Sequence, residues 1–289
     1  MTILPALKIS KTKCYLQLDR CEPISKFLEA TIRGGFGYAL KGDLCLFKGR
    51  ECPDCLLRET CGYSRFFEPA PPASSTLQHD MQQAARSYIF HAAQFCDKVQ
   101  LEITLVGGAH DYLEKVLHTL QTVGREGLGK SRTRFSICAV QPSALYDLSK
   151  QPIKAETAAT VSFTTPFTLR SQGSFAKEWN TRLFFATLLR RISNLAAIHG
   201  VPLPAEFDPR EILEQADKTQ SEAFLVPISQ ERNSTHQKRT INYSGLVGDI
   251  IIQGLTPQLN QVLQAGELIS VGKNTAFGYG KYSLEYATK

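Results

Sequence analysis

V-G-K-N-T-A-F-G-Y-G-K, residues 271–281, decides how the rest of the chain is read. It follows a stretch with helical character, T-P-Q-L-N-Q-V-L-Q-A-G-E-L-I (256–269), and leads into the strand-like Y-G-K-Y-S-L-E-Y (279–286). A second tract, V-G-R-E-G-L-G-K (123–130), stands in the same setting. It follows D-Y-L-E-K-V-L-H-T-L-Q-T-V-G (111–124), where Leu113, Val116, Leu117 and Leu120 share one helical face, and precedes the strand-like R-F-S-I-C-A-V (134–140). Either tract alone is weak, because short glycine motifs arise by chance. The same tract at the same point in two matching orders of elements is better evidence of duplication.

Working outward, each tract closes a similar series. The first half runs from a strand, K-C-Y-L-Q-L-D (13–19), to a helix, K-F-L-E-A-T-I-R-G-G-F-G-Y-A-L-K (26–41). A cysteine cluster and a proline-rich loop (69–75) follow, then strands at 87–93 and 99–107, the 111–124 helix and the 134–140 strand. In the second half a strand (159–171) leads to a long helix (179–200) stopped at Gly200. Strands at 223–229 and 246–254 follow, then a helix opened by Thr256 and Pro257, and the last strand. This is β-α-β-β-α-β twice over, the ferredoxin-like unit. The fold class expected is α+β: tandem ferredoxin-like (RRM-like) domains, 1–150 and 151–289, with a small cysteine-rich metal knuckle inserted in the first.

Composition allows this. The chain has 289 residues, 43 % of them apolar, enough for one large or two modest cores. A net charge of +6 is compatible with an acidic partner without requiring one. No apolar run reaches membrane-spanning length, and the N-terminus lacks a secretory pattern, so a cytoplasmic location with no membrane partner is expected. Four of the eight cysteines, Cys45, Cys52, Cys55 and Cys61, crowd together as C-x6-C-x2-C-x5-C. Without an export signal this favours metal ligation over disulfides. Four thiolates close a tetrahedral shell with no open position, so a structural zinc is expected, with an iron–sulfur cluster or free thiols as alternatives. Cys14, Cys21, Cys96 and Cys138 read as ordinary core or strand cysteines.

The 271–281 tract has chemistry of its own. Glycines allow close approach to a ligand, successive N–H groups can cradle phosphate oxygens, Lys273 and Lys281 add charge, and Phe277 or Tyr279 could stack on a base. It is neither a P-loop nor a dinucleotide fingerprint, because the spacing and the order of elements differ. A tight helix-to-strand turn with Phe277 in the core accounts for it equally well.

Several segments together resemble one family. I-S-V-G-K-N-T-A-F-G-Y-G-K-Y-S-L (269–284) is similar to the C-terminal glycine-rich signature of the CRISPR-associated endoribonucleases of the RAMP superfamily that process precursor CRISPR RNA. I-R-G-G-F-G-Y-A-L-K (32–41), the cysteine knuckle and Y-S-R-F-F-E-P (63–69) resemble one branch of it, as does S-G-L-V-G-D-I (244–250) shortly after R-N-S-T-H-Q (232–237). The resemblance implies RNA bound across the cleft between two ferredoxin-like domains. It also implies cleavage within the CRISPR repeat by attack of a ribose 2′-OH on the adjacent phosphate, with no cofactor for catalysis. CRISPR repeat RNA or the mature crRNA is the expected partner, together with other CRISPR effector subunits. Expected RNA contacts are Arg33, Arg232, Gln237, Lys238 and Arg239, and in the loop Gly272, Lys273, Gly278, Tyr279, Gly280 and Lys281.

Such a reaction needs a base for the 2′-OH and an acid for the leaving 5′-oxygen, and histidine suits both. Of six histidines, His199 is explained by a helix C-terminus, and His110 and His118 by solvent beside a helix. His91 alternates with Tyr88, Phe90 and Ala92, which places it on the outer face of a strand, and His79 has no basic neighbours. His236 sits in R-N-S-T-H-Q-K-R (232–239) and is the first catalytic candidate. The resemblance also points to the first helix, where Tyr38 and Lys41 are the available groups. The alternative is a non-catalytic RNA-binding subunit of a CRISPR effector complex. A small-molecule enzyme on the same fold is disfavoured, because no acid/base pair accompanies a cofactor motif.

Overall fold

The computed structural model describes residues 2–47, 51–69, 85–171, 174–176, 178–229, 231–234, 239–242 and 244–287. In the first half β1 (Lys8–Leu18) is followed by α1 (Leu28–Leu44), the short α2 (Gly62–Phe67), β2 (Tyr88–Phe95), β3 (Lys98–Val106), α3 (Leu113–Glu126), β4 (Phe135–Val140) and β5 (Ala144–Asp147). The sheet order is β2-β3-β1-β4, antiparallel throughout, with β5 pairing with the start of β1.

The second half repeats it: β6 (Ala158–Phe167), a small pair β7 (Arg170–Ser171) and β8 (Ser174–Phe175), α4 (Thr181–Ile198), α5 (Pro209–Ala216), β9 (Gln220–Ile228), the hairpin β10 (Glu231–Ser234) and β11 (Arg239–Asn242), β12 (Gly245–Gln253), α6 (Pro257–Ile269) and β13 (Tyr282–Tyr286). Its sheet runs β13-β6-β12-β9. In chain order within each unit, both sheets read fourth-first-third-second, so the two halves are ferredoxin-like units of the same topology.

Period-two burial explains each sheet. Cys14, Leu16, Leu101, Ile103, Tyr88 and Phe90 point to one face and meet Ile32, Phe36 and Leu40 of α1 and Val116, Leu120 and Val123 of α3. In the second half Val161, Phe163, Ile250 and Ile252 meet Phe184, Leu188 and Ile192 of α4 and Leu259, Val262 and Leu263 of α6. Helix starts follow ordinary capping: Asn180 Oδ1 accepts from Leu183 N–H at 2.7 Å, and Thr256 Oγ1 from Leu259 N–H at 3.2 Å.

The second core also contains Ile3, Leu4, Leu7, Ile9, Val106 and Leu148 from the first half. The second unit thus packs on the open face of the first sheet, at the end where β1 begins. This corrects the exposure expected for His91. It does lie on the face away from the helices, but the other unit covers that face, leaving it 7 % exposed. A second correction concerns Cys21 and Cys96, which form a disulfide. Cys21 follows β1, and Cys96 sits in the β2–β3 turn, where Leu18 N–H donates to the Asp97 carbonyl at 2.7 Å. Strand pairing brings the two together across 75 residues, a separation that no local pattern reveals.

Candidate RNA interface

Helix α1 presents a stepped surface to one side of the molecule. Tyr38 is 80 % exposed, far from a core position. Lys41, one turn on, is half-buried, with Nζ 5.8 Å from the centre of the Tyr63 ring. Gly37, just before Tyr38, is required by packing: a methyl group there would overlap the Phe67 ring. Arg33 lies a turn earlier, and its guanidinium carbon is 4.4 Å from the centres of both the Phe67 and the Phe277 rings. Burial lowers the pKa of nearby Arg86, whose Nε–H donates to the Phe67 carbonyl at 3.3 Å, and it raises those of the neighbouring phenols Tyr63 and Tyr88.

The glycine-rich loop reaches this surface from the other half. Its central turn, Thr275–Phe277, contacts both α1 and β2, and Ala276 is buried in the core of the first unit. Gly278 is so close to the first unit that a methyl there would stand 2.8 Å from the Phe90 carbonyl oxygen and 2.9 Å from Glu29 Cγ. Gly278, Tyr279 and Gly280 are therefore interior, whereas Lys273 is exposed and Gly272 half-exposed. The ring of Tyr279, at 8 % exposure, is not on the surface. Phe277 is half-buried beneath Arg33.

Lys281 ends the loop in a charged joint between the units. Its Nζ donates to Glu102 Oε1 at 3.0 Å, and His91 Nδ1 lies 3.6 Å from the same oxygen. The His91 ring, and then Lys281 and Lys11, hold the Glu102 carboxyl well below the usual range, while burial lowers the pKa of His91 itself. At 3.6 Å the contact is longer than a hydrogen bond, and neither ring nitrogen has a hydrogen-bond partner among the described residues. The sequence offered no signal for this joint, because its members come from β1, β2, β3 and the last loop. Beneath the loop's start, buried Arg191 of α4 donates Nε–H to the Ile269 carbonyl at 2.9 Å, at the negative end of α6.

Cys45, Cys52, Cys55 and Cys61 line one recess together with Phe47, Arg58, Tyr63 and Ser64. Burial raises the pKa of the Cys52 thiol, and Glu68 adds to the effect. The donor set has the chemistry of a zinc site, but among the described residues no three metal-ligating side chains are grouped closely enough to hold an ion. Of the basic stretch, Arg232 and Arg239 fall on the paired strands β10 and β11, whose side chains lie outside the described set, and His236, Gln237 and Lys238 fall outside the described residues. The structure thus brings Arg33 to Phe277 of the loop, and places the exposed Tyr38 and the half-buried Lys41 further along the same helix. The buried His91 and the half-buried Glu102 are neighbours of the loop's last lysine.

A duplicated ferredoxin-like chain with a glycine-rich loop lodged between its halves defines the RAMP class of fold. Residues 7–163 match a family model described as an N-terminal domain, and residues 161–282 match the model of the CRISPR-associated endoribonuclease Cas6. Residues 161–282 thus belong to the Cas6 family of CRISPR-associated endoribonucleases. Among solved structures it is similar to a Cas6 product complex, with a TM-score of 0.58 and 18 % identity over 96 % of this chain and 99 % of that one. Thermus thermophilus Cas6 gives 0.58 and 12 % over 97 % and 99 %. A Cas6-RT-Cas1--Cas2 complex gives 0.60 and 12 % over the whole of this chain and 30 % of that one. At these identities the likeness is one of fold. A search of the curated proteins finds no match. No helix among the described residues is long and apolar enough to cross a membrane.

Proposed function

We propose that this protein binds CRISPR repeat RNA and cuts precursor crRNA without a catalytic metal. The 2′-hydroxyl of the nucleotide before the cut gives up its proton as its oxygen bonds to phosphorus, the P–O5′ bond breaks, and a proton is delivered to the departing O5′. The products are a 2′,3′-cyclic phosphate and a 5′-hydroxyl. The observation that carries this reading is the match to the Cas6 endoribonuclease model across residues 161–282, which span the glycine-rich loop. The exposed Tyr38 and the half-buried Lys41, on the helix that the loop's central turn contacts, support it.

In this reading His236 moves the proton, Tyr38 and Lys41 orient the scissile phosphate, and Arg232, Gln237, Lys238, Arg239 and Lys273 neutralise the RNA backbone. Cys45, Cys52, Cys55 and Cys61 hold a structural zinc, a reading supported by the recess they share. Association with further CRISPR proteins is part of the proposal, since the same fold occurs within the Cas6-RT-Cas1--Cas2 complex. The test is incubation of the protein with repeat RNA in EDTA: one cut leaving a cyclic phosphate is expected, and its loss in His236→Ala. Tight binding with no cut indicates instead the non-catalytic subunit. Metal analysis should find about one zinc per chain, absent from Cys52→Ser; a chain isolated without metal sinks the zinc assignment.

A further inference from the structure

The guanidinium of Arg33 meets two aromatic rings. Its Cζ stands over the ring of Phe67, the last residue of α2, and over that of Phe277 in the glycine-rich loop, 4.4 Å from each ring centre. Arg33 Nε is buried with no hydrogen-bond partner among the described residues. Phe67 is itself fixed, stacked on Tyr63 at 5.3 Å and on Tyr88 at 5.5 Å and packed against Phe36 at 6.2 Å. One side of the sandwich is therefore anchored in the first unit. The other is the loop that closes the second unit, and the next residues of that loop, Gly278 to Gly280, are already interior. A cation between two aromatic faces is attracted to both, and the planar guanidinium fills such a slot where an ammonium does not. A phosphate contact, by contrast, would have to share a guanidinium already engaged by two rings.

We infer that Arg33 is a positioning residue. It pins the glycine-rich loop of the second unit to α1 and α2 of the first through Phe277, and so sets where the exposed Lys273 stands; it does not pair with the RNA backbone itself. The inference rests on the RNA-binding reading for its consequence, but the pin can be measured without RNA.

The experiment compares wild type, Arg33→Gln, Phe277→Leu and the double variant. Amide hydrogen exchange of residues 272–281 reads the pin directly: faster exchange in either single variant, and no further gain in the double, is expected. Unchanged exchange in Arg33→Gln overturns the inference. Repeat-RNA affinity across a salt series reads the consequence. Each single variant should weaken binding about five- to tenfold, the double no more than either, with the dependence of log Kd on log salt unchanged. If Arg33 instead contacts a phosphate, its removal lowers that slope by about 0.7 while Phe277→Leu leaves affinity alone, and the inference falls. Arg33→Lys keeps the charge and should not restore affinity; full rescue by lysine also overturns it. Phe277→Tyr keeps the ring face and should behave as wild type, which separates loss of the sandwich from misfolding. Failure of the wild type to bind repeat RNA would remove the RNA reading alone, leaving the exchange result to decide the pin.

Discussion

Replacing Gly280 with alanine should destabilise the protein far more than the same change at Gly200, although both glycines have left-handed backbone, with φ of +74° and +64°. At Gly200, just past α4, an added methyl meets nothing within 4 Å. Only the cost of the left-handed conformation applies, about 1 kcal/mol. At Gly280 the methyl would overlap the carbonyl oxygen of Val271, which is backbone and cannot swing aside. The strand-like clasp around it must open, and with it go two main-chain hydrogen bonds: Val271 N–H to the Gly280 carbonyl at 3.0 Å, and Gly280 N–H to the Pro166 carbonyl at 2.9 Å. At about 1 kcal/mol net for each, added to the conformational cost, Gly280→Ala should lose about 3–4 kcal/mol. In a domain of this size that lowers Tm by about 10 °C, against about 3 °C for Gly200→Ala. Urea unfolding followed by both tryptophan fluorescence and far-ultraviolet circular dichroism measures the difference. If the two variants fall within 1 kcal/mol of one another, the clasp does not hold the loop as described.

Acid should loosen the joint between the units. His91 has its pKa lowered by burial, so the unfolded chain takes up a proton first, and stability falls as the pH drops through the ordinary histidine value of about 6.5. Glu102 has its pKa lowered by His91, Lys281 and Lys11, so its contribution is present above the ordinary carboxylate value of about 4.3 and is lost below it. Denaturation midpoints should therefore decline from pH 7 to 4, and His91→Phe should flatten the upper part of the decline; an unchanged profile would refute the role given to His91. Thiol titration of the denatured chain before metal or reductant is added should find six free cysteines, and eight after reduction. Eight from the outset would exclude the Cys21–Cys96 bond, whereas Cys21→Ser should cost about 4 kcal/mol if a closed loop of this length is released.

The duplicated order of elements was legible because strand-like and helix-like stretches recur in the same order and a Val-Gly tract closes each unit. The tract's role was less legible. Glycine at 278 and 280 is demanded by backbone and side chains pressing from Phe90, Glu29 and Val271, a reason internal to the fold. From the sequence the same glycines read equally well as a phosphate cradle. Helix α5 and strand β5 are short and were not foreseen, and β1 begins five residues before its alternating stretch, at Lys8, because Lys8 to Lys11 pair with β5. His91 shows why a strand's polar face does not establish exposure: alternation tells which face a residue is on, while the neighbouring unit determines whether that face meets water. Arg33 is the same lesson in the other direction. Its charge and its helix suggest a ligand contact, and only the folded chain shows that Phe67 and Phe277 both reach its guanidinium.

The cleavage proposal turns on the ribose beside the scissile phosphate. Repeat RNA carrying a single 2′-deoxynucleotide immediately before the cut should bind with unchanged affinity and remain intact in EDTA, while the all-ribose RNA is cut once. Cleavage of the deoxy substrate at the same bond would contradict attack by the 2′-oxygen and with it the mechanism assigned to this protein.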